Sequence, residues 1–144
     1  HVNYAFLSPN ADGSVRPIYS PGKLSRLVAE AHQQGVKVLL SIGGWGYDAE
    51  FETVAADPKR RARFIEEIVS RVHKYDLDGV DMDWEYPDAG ESAAGFLLLM
   101  RELGAAMRAE GRLLTAAVPV GGVRSGRFPQ HHGLRRPGRA PLAL

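Results

Sequence analysis

Cysteine is absent from the 144 residues. That excludes a disulfide scaffold and a thiolate metal site. No apolar run reaches the roughly 18–20 residues of a membrane span, so no membrane partner is expected. A signal peptide is missing as well. The chain opens on His1, and its first residues already read as a strand, so it is expected to be cut from something longer. Acids are missing after Glu110. Residues 1–111 hold twelve Lys and Arg against all seventeen acids, a net of −5, while residues 112–144 hold six Arg and no acid, a net of +6. A basic tail can bind nucleic acid. Here Phe128 is its only aromatic residue, so no nucleic-acid partner is expected. What remains is ordinary: 44% hydrophobic and 24% charged residues rule out disorder throughout and fit one soluble domain.

Strand and helix signals alternate along residues 1–118. His1–Leu7 mixes β-branched and aromatic residues and ends at Ser8-Pro9-Asn10, the pattern of a strand and loop. Ser20-Pro21 opens a helix with Leu24, Leu27, Val28 and Ala31 in register, and Gly35 closes it. Val36–Ile42 is a short apolar run bounded by Gly43-Gly44, a buried strand. Asp57-Pro58 starts a second helix that runs to about His73. Leu77–Glu85 reads as a strand, Ser92 to about Ala109 as a helix ended by Gly111, and Leu113–Val118 as a fourth strand. The order β-α-β-α-β-α-β implies a parallel sheet with right-handed crossovers. A doubly wound sheet and a (β/α)8 barrel both satisfy it. Residues 121–144 are rich in Arg, Gly, Pro and His without apolar periodicity. They read as an irregular basic tail: disordered, a loop without its context, or sequence out of frame. The adjacent His131 and His132 in that tail are poor metal ligands.

The chemistry concentrates in one strand. Asp81, Asp83 and Glu85 stand at i, i+2 and i+4, so they share one face, while Val80, Met82 and Trp84 face the other way. Like charges on a buried face raise one another's pKa, so at least one proton is retained near neutral pH. A protonated carboxyl beside ionised ones is what a general acid requires. A solvated acidic edge is the plain alternative, but Val80, Met82 and Trp84 oppose it. Divalent-metal binding by an Asp-x-Asp pair is another, but it needs several further oxygen donors, and no His or acid cluster accompanies the strand. No metal and no cofactor are expected. Asp78 has the opposite parity and reads as a turn or strand-start residue.

Asp78-Gly79-Val80-Asp81-Met82-Asp83-Trp84-Glu85-Tyr86-Pro87 resembles the DGxDxDWEYP signature of family 18 glycoside hydrolases, and Ser41-Ile42-Gly43-Gly44-Trp45 resembles the family's SxGG motif. Asn3–Phe6 is similar to its strand 2 and Ala116–Pro119 to its strand 5. The resemblance covers about residues 1–120. It implies a partial (β/α)8 TIM barrel, roughly strands 2–5 with their helices, from a secreted, monomeric chitinase that acts on chitin or N-acetylglucosamine oligosaccharides. It implies Glu85 as general acid and base, Asp83 holding the substrate's acetamido group, and Asp81 sharing a proton with Asp83, in a retaining, substrate-assisted reaction. Ser41, Trp45, Tyr86 and Phe6 become candidate substrate-binding or supporting residues, with Trp45 and Tyr86 at the loop starts and Phe6 on the first strand.

A chitin-binding lectin on the same fold usually lacks the acid at the Glu85 position. An endo-N-acetylglucosaminidase is disfavoured by the ending Trp84-Glu85-Tyr86-Pro87. An inactive partial reading of a gene is the remaining alternative, because the family's MxYD strand and its strand 8 Trp have no counterpart here. A complete barrel has eight strands and about 250 residues. Four strands expose two edges and an inner face suited to burial. These 144 residues alone are therefore expected to self-associate or aggregate and to turn over chito-oligosaccharides poorly. Sedimentation and thermal melting check this: a monodisperse monomer with a cooperative transition would contradict it.

Overall fold

A computed structural model of the chain describes residues 1–118; the basic stretch 121–144 lies outside them. The elements are β1 (Val2–Leu7), α1 (Pro21–Gln33), β2 (Val38–Gly43), α2 (Asp48–Ala56), α3 (Pro58–Lys74), β3 (Gly79–Asp83), α4 (Glu91–Ala109) and β4 (Leu113–Ala116). Every expected strand and helix is present. One helix, α2, comes in addition. It abuts α3 at Asp57, whose side chain accepts the Lys59 and Arg60 N–H groups at 2.8 and 3.0 Å. No capping side chain announces α2, since its N-cap is Tyr47. At α1 the expected Ser20 side-chain cap does not form. The Ser20 carbonyl receives Lys23 and Leu24 N–H instead, and Pro21 occupies the first turn.

The four strands form one parallel sheet in the order β1-β2-β3-β4. A doubly wound sheet reverses its strand order at a switch point. This order never reverses, so each right-handed crossover puts its helix on the same side, as in a (β/α)8 barrel. Among the described residues, β1 and β4 are each paired on one side. Val2, Phe6 and Leu113 are exposed on them, whereas β2 and β3 are buried throughout. No described helix is long and apolar enough to cross a membrane.

Register divides the two faces. Leu40, Val80 and Leu114 form one row and Ile42, Met82 and Ala116 the next, both turned to the helix layer of Val28, Phe64, Ile68, Leu99 and Leu103. The opposite face carries the rows Leu39, Gly79, Leu113 and Ser41, Asp81, Thr115, then Gly43 beside Asp83. Gly79 is required by proximity, because a Cβ there would run into the Leu113 backbone. Three loops return the chain to the sheet in the same way. Gly35, Asp76 and Gly111 take left-handed φ of 67°, 50° and 65°, and the next residue's N–H bonds back to Ala31, Val72 and Met107.

Arg61 locks the helix layer. It is 7% exposed, meets Glu102 of α4 through two 3.0 Å contacts, and donates to the Ala55 carbonyl at the end of α2 at 2.7 Å. The charge is satisfied on both arms, so α2, α3 and α4 are tied at one point.

Candidate active site

Parallel strands in such a barrel present their C-terminal ends to one rim, and β3 brings its acids there. Asp81 lies deepest. Its two oxygens accept from the strands on either side, Ser41 Oγ at 3.1 Å and Thr115 Oγ1 at 2.5 Å. These three residues are register partners, so the bonds run straight across the sheet. Ser41 belongs to the SxGG run. Thr115 is the lone polar residue within Leu113–Ala116.

Asp83 follows two residues later, at 9% exposure, with its carbonyl accepting the Gly44 N–H at 2.9 Å. Burial pushes its carboxyl up, and the charges of Glu85 and Asp81 and a hydrogen bond with Glu85 push the same way. Two carboxyls can hydrogen-bond only if one holds a proton. Asp81 is occupied by two hydroxyls and acts on Asp83 through charge.

Glu85 lies beyond the strand, which ends at Asp83 rather than at Glu85 as the apolar run suggested. It is half-buried, and the Tyr86 phenol bonds to it. Partial burial first, then the Glu85 charge and that hydrogen bond, raise the Tyr86 pKa, so the phenol stays a neutral donor. The Glu85–Tyr86 and Ala5–Phe6 peptide bonds are cis.

Phe6 and Trp45 stand at the rim, 49% and 76% exposed. The Phe6 ring covers Gly44, where a Cβ would sit 3.2 Å from it. A Cβ at Gly43 would meet the Asp83 carbonyl at 2.5 Å and the Phe51 ring at 2.6 Å, which is the physical need for the paired glycines. Trp84 faces the helices. It is 1% exposed and stacks on Phe51 at 5.2 Å and 14°.

At the opposite end of β3, Asp78 starts the strand. Its Oδ2 accepts Val38 N–H at 2.7 Å and lies 2.8 Å from His32 Nε2. Burial pushes this carboxyl up, but the Val38 bond and the His32 contact outweigh it and leave it below the ordinary value. Among the described residues no group of three or more His, Asp or Glu could hold a metal ion.

The family model for glycosyl hydrolases family 18 matches residues 1–130. A chitinase-like effector of Moniliophthora roreri is 42% identical over 88 residues, 60% of this chain and 22% of that protein. A probable endochitinase of Caenorhabditis elegans is 34% identical over 140 residues, 84% of this chain and 22% of that protein. Among solved structures, a chitinase of Cycas revoluta, a double mutant in complex with (GlcNAc)4, superposes with a TM-score of 0.74 at 32% identity, over 81% of this chain and 38% of that one. The chain thus spans well under half the length of each.

The raised Asp83 gives a pH prediction with a definite sign. The folded state holds this proton more tightly than the unfolded one, so the stabilisation is fully present below the ordinary 3.8 and is lost as pH climbs through the raised value. Asp83→Asn, which stays neutral, escapes that loss. In the protein that carries this chain, urea unfolding of wild type and variant between about pH 3 and pH 7 should show the variant gaining on the wild type as pH rises. A difference independent of pH, or one that shrinks, would refute the assignment.

Proposed function

The chain belongs to family 18 of the glycosyl hydrolases, and from that premise we propose that it carries the acid machinery of a retaining, substrate-assisted chitinase. The supporting observation is the row of acids at the rim, where burial and the charges of Glu85 and Asp81 push the Asp83 carboxyl toward its protonated form. Residues 1–120 are this chain's share of the catalytic barrel in this reading.

The substrate is a β-1,4-linked N-acetylglucosamine oligomer. Glu85 protonates the glycosidic oxygen, and the bond from that oxygen to C1 breaks. The acetamido oxygen of the same sugar forms the new bond to C1, giving an oxazolinium ion. Asp83 accepts the acetamido N–H and offsets the positive charge that develops. For this Asp83 must turn from Glu85 toward the sugar, which frees the proton for Glu85 to deliver. Asp81 stays in place, because Ser41 and Thr115 already satisfy both of its oxygens. Glu85, now ionised, takes a proton from the incoming water, which adds to C1 and restores the acetamido group. Tyr86 steadies Glu85 through its phenol. Trp45 and Phe6 present aromatic faces on which sugar rings can stack.

No carboxylate in this scheme attacks the sugar. Asp81 is occupied, Asp83 is committed to the acetamido group, and Glu85 carries the proton. The polymer is extracellular, and we place the enzyme that carries this chain outside the cell.

Glu85→Gln keeps the shape and removes the proton. In the protein that carries these residues, kcat on a fluorogenic chito-oligosaccharide should fall by about 100- to 10,000-fold, with binding of (GlcNAc)4 retained. Unchanged kcat would remove Glu85 from the role.

A further inference from the structure

The β3 ladder stops at Asp83, and Glu85 comes two residues later. The residue between them has the firmest hold in the region. Trp84 is 1% exposed and is gripped by three side chains. Phe51 stacks on its indole at 5.2 Å and 14°, Phe96 meets it edge-on at 5.9 Å and 77°, and Asp48 Oδ1 accepts its Nε1–H at 2.7 Å. Asp48 and Phe51 both belong to α2, the helix fixed to its neighbours by Arg61.

These contacts are not equivalent. A stacked or edge-on ring contact tolerates sliding and rotation in the ring plane. A hydrogen bond at the rim of the indole is directional and removes that freedom. Rotating the indole swings its Cβ, and with it the backbone that leads to Glu85. The Cα atoms of neighbouring residues are about 3.8 Å apart, so the motion passes on with little loss. An acid displaced by about 1 Å can lose two orders of magnitude in rate.

We propose that Asp48 is a positioning residue for Glu85, acting through the Trp84 indole to set where the acid stands relative to Asp83. This rests on the reading of Glu85 as the acid. Asp48 stands outside the signature motifs and is exposed at the start of α2. Its bland role there would be an acid in the first turn, favoured by the helix dipole. The two roles ask for different atoms. The dipole needs the charge, whereas the indole needs only an acceptor oxygen.

The test is a 13C-carboxyl NMR titration of the protein that carries this chain, labelled at Asp and Glu, in wild type, Asp48→Ala, Asp48→Asn and Trp84→Phe. Asp48→Ala should move Glu85 relative to Asp83 and lower the Asp83 titration, leaving the rise due to burial. Asp48→Asn keeps the acceptor and should titrate as wild type. Trp84→Phe keeps the ring stack without the N–H and should match Asp48→Ala, so it decides the matter if that variant fails to fold. In the active protein, Asp48→Ala should lower kcat by up to about 100-fold with KM little changed. A wild-type titration in folded Asp48→Ala overturns the proposal, as does Asp48→Asn behaving like Asp48→Ala. If Asp48→Ala shifts the titration while Glu85→Gln leaves hydrolysis intact, the positioning stands and the acid assignment fails. The reverse pattern removes the positioning alone.

Discussion

Two carboxyl groups buried on one face of β3 set the terms for the rest of the structure. Burying a carboxylate is costly unless it is paired, bonded or protonated. β3 uses more than one remedy within three residues. Asp81 is bonded from both neighbouring strands, which demands Ser41 and Thr115 in register with it. Asp83 has no such hydroxyls. Its relief is to favour the protonated form, because burial and the charges of Glu85 and Asp81 raise it. The paired glycines on β2 follow from the same crowding, because Gly43 must leave room for the Asp83 carbonyl and Phe51.

The two ends of β3 show how position in a barrel assigns work to one residue type. Asp78, at the start, meets a backbone N–H and His32, and is held below the ordinary carboxyl range. It ties β3 to β2 and to α1, a task for a carboxylate that stays charged. Asp83, at the far end, meets burial and two like charges and is pushed the other way. A carboxyl held charged sits at one end of β3 and a carboxyl pushed toward its neutral form at the other.

Much of this was legible in the residues. Asp81, Asp83 and Glu85 at alternate positions gave the shared face, and the opposed Val80, Met82 and Trp84 gave the burial. The helix ends at Gly35 and Gly111 were readable because a left-handed residue favours glycine. Other features depend on tertiary contacts. The apolar run Leu77–Glu85 does not reveal that hydrogen-bonded pairing stops at Asp83. Helix α2 has only Phe51, Val54 and Ala55 buried and no capping residue, so its sequence carries no helix-start signal. Asp48 and its bond to Trp84 are not readable without it. Barrel and doubly wound sheet were inseparable from chain order; the unreversed strand order decides between them.

The central claim is that the acids of β3 serve a retaining reaction with no enzyme nucleophile. Proton NMR of the anomer first released from (GlcNAc)4, by the protein that carries this chain, tests it most directly. The account predicts the β-anomer first, with no covalent sugar on Asp81, Asp83 or Glu85. The α-anomer first, or a sugar ester trapped on one of these carboxyls, would contradict it.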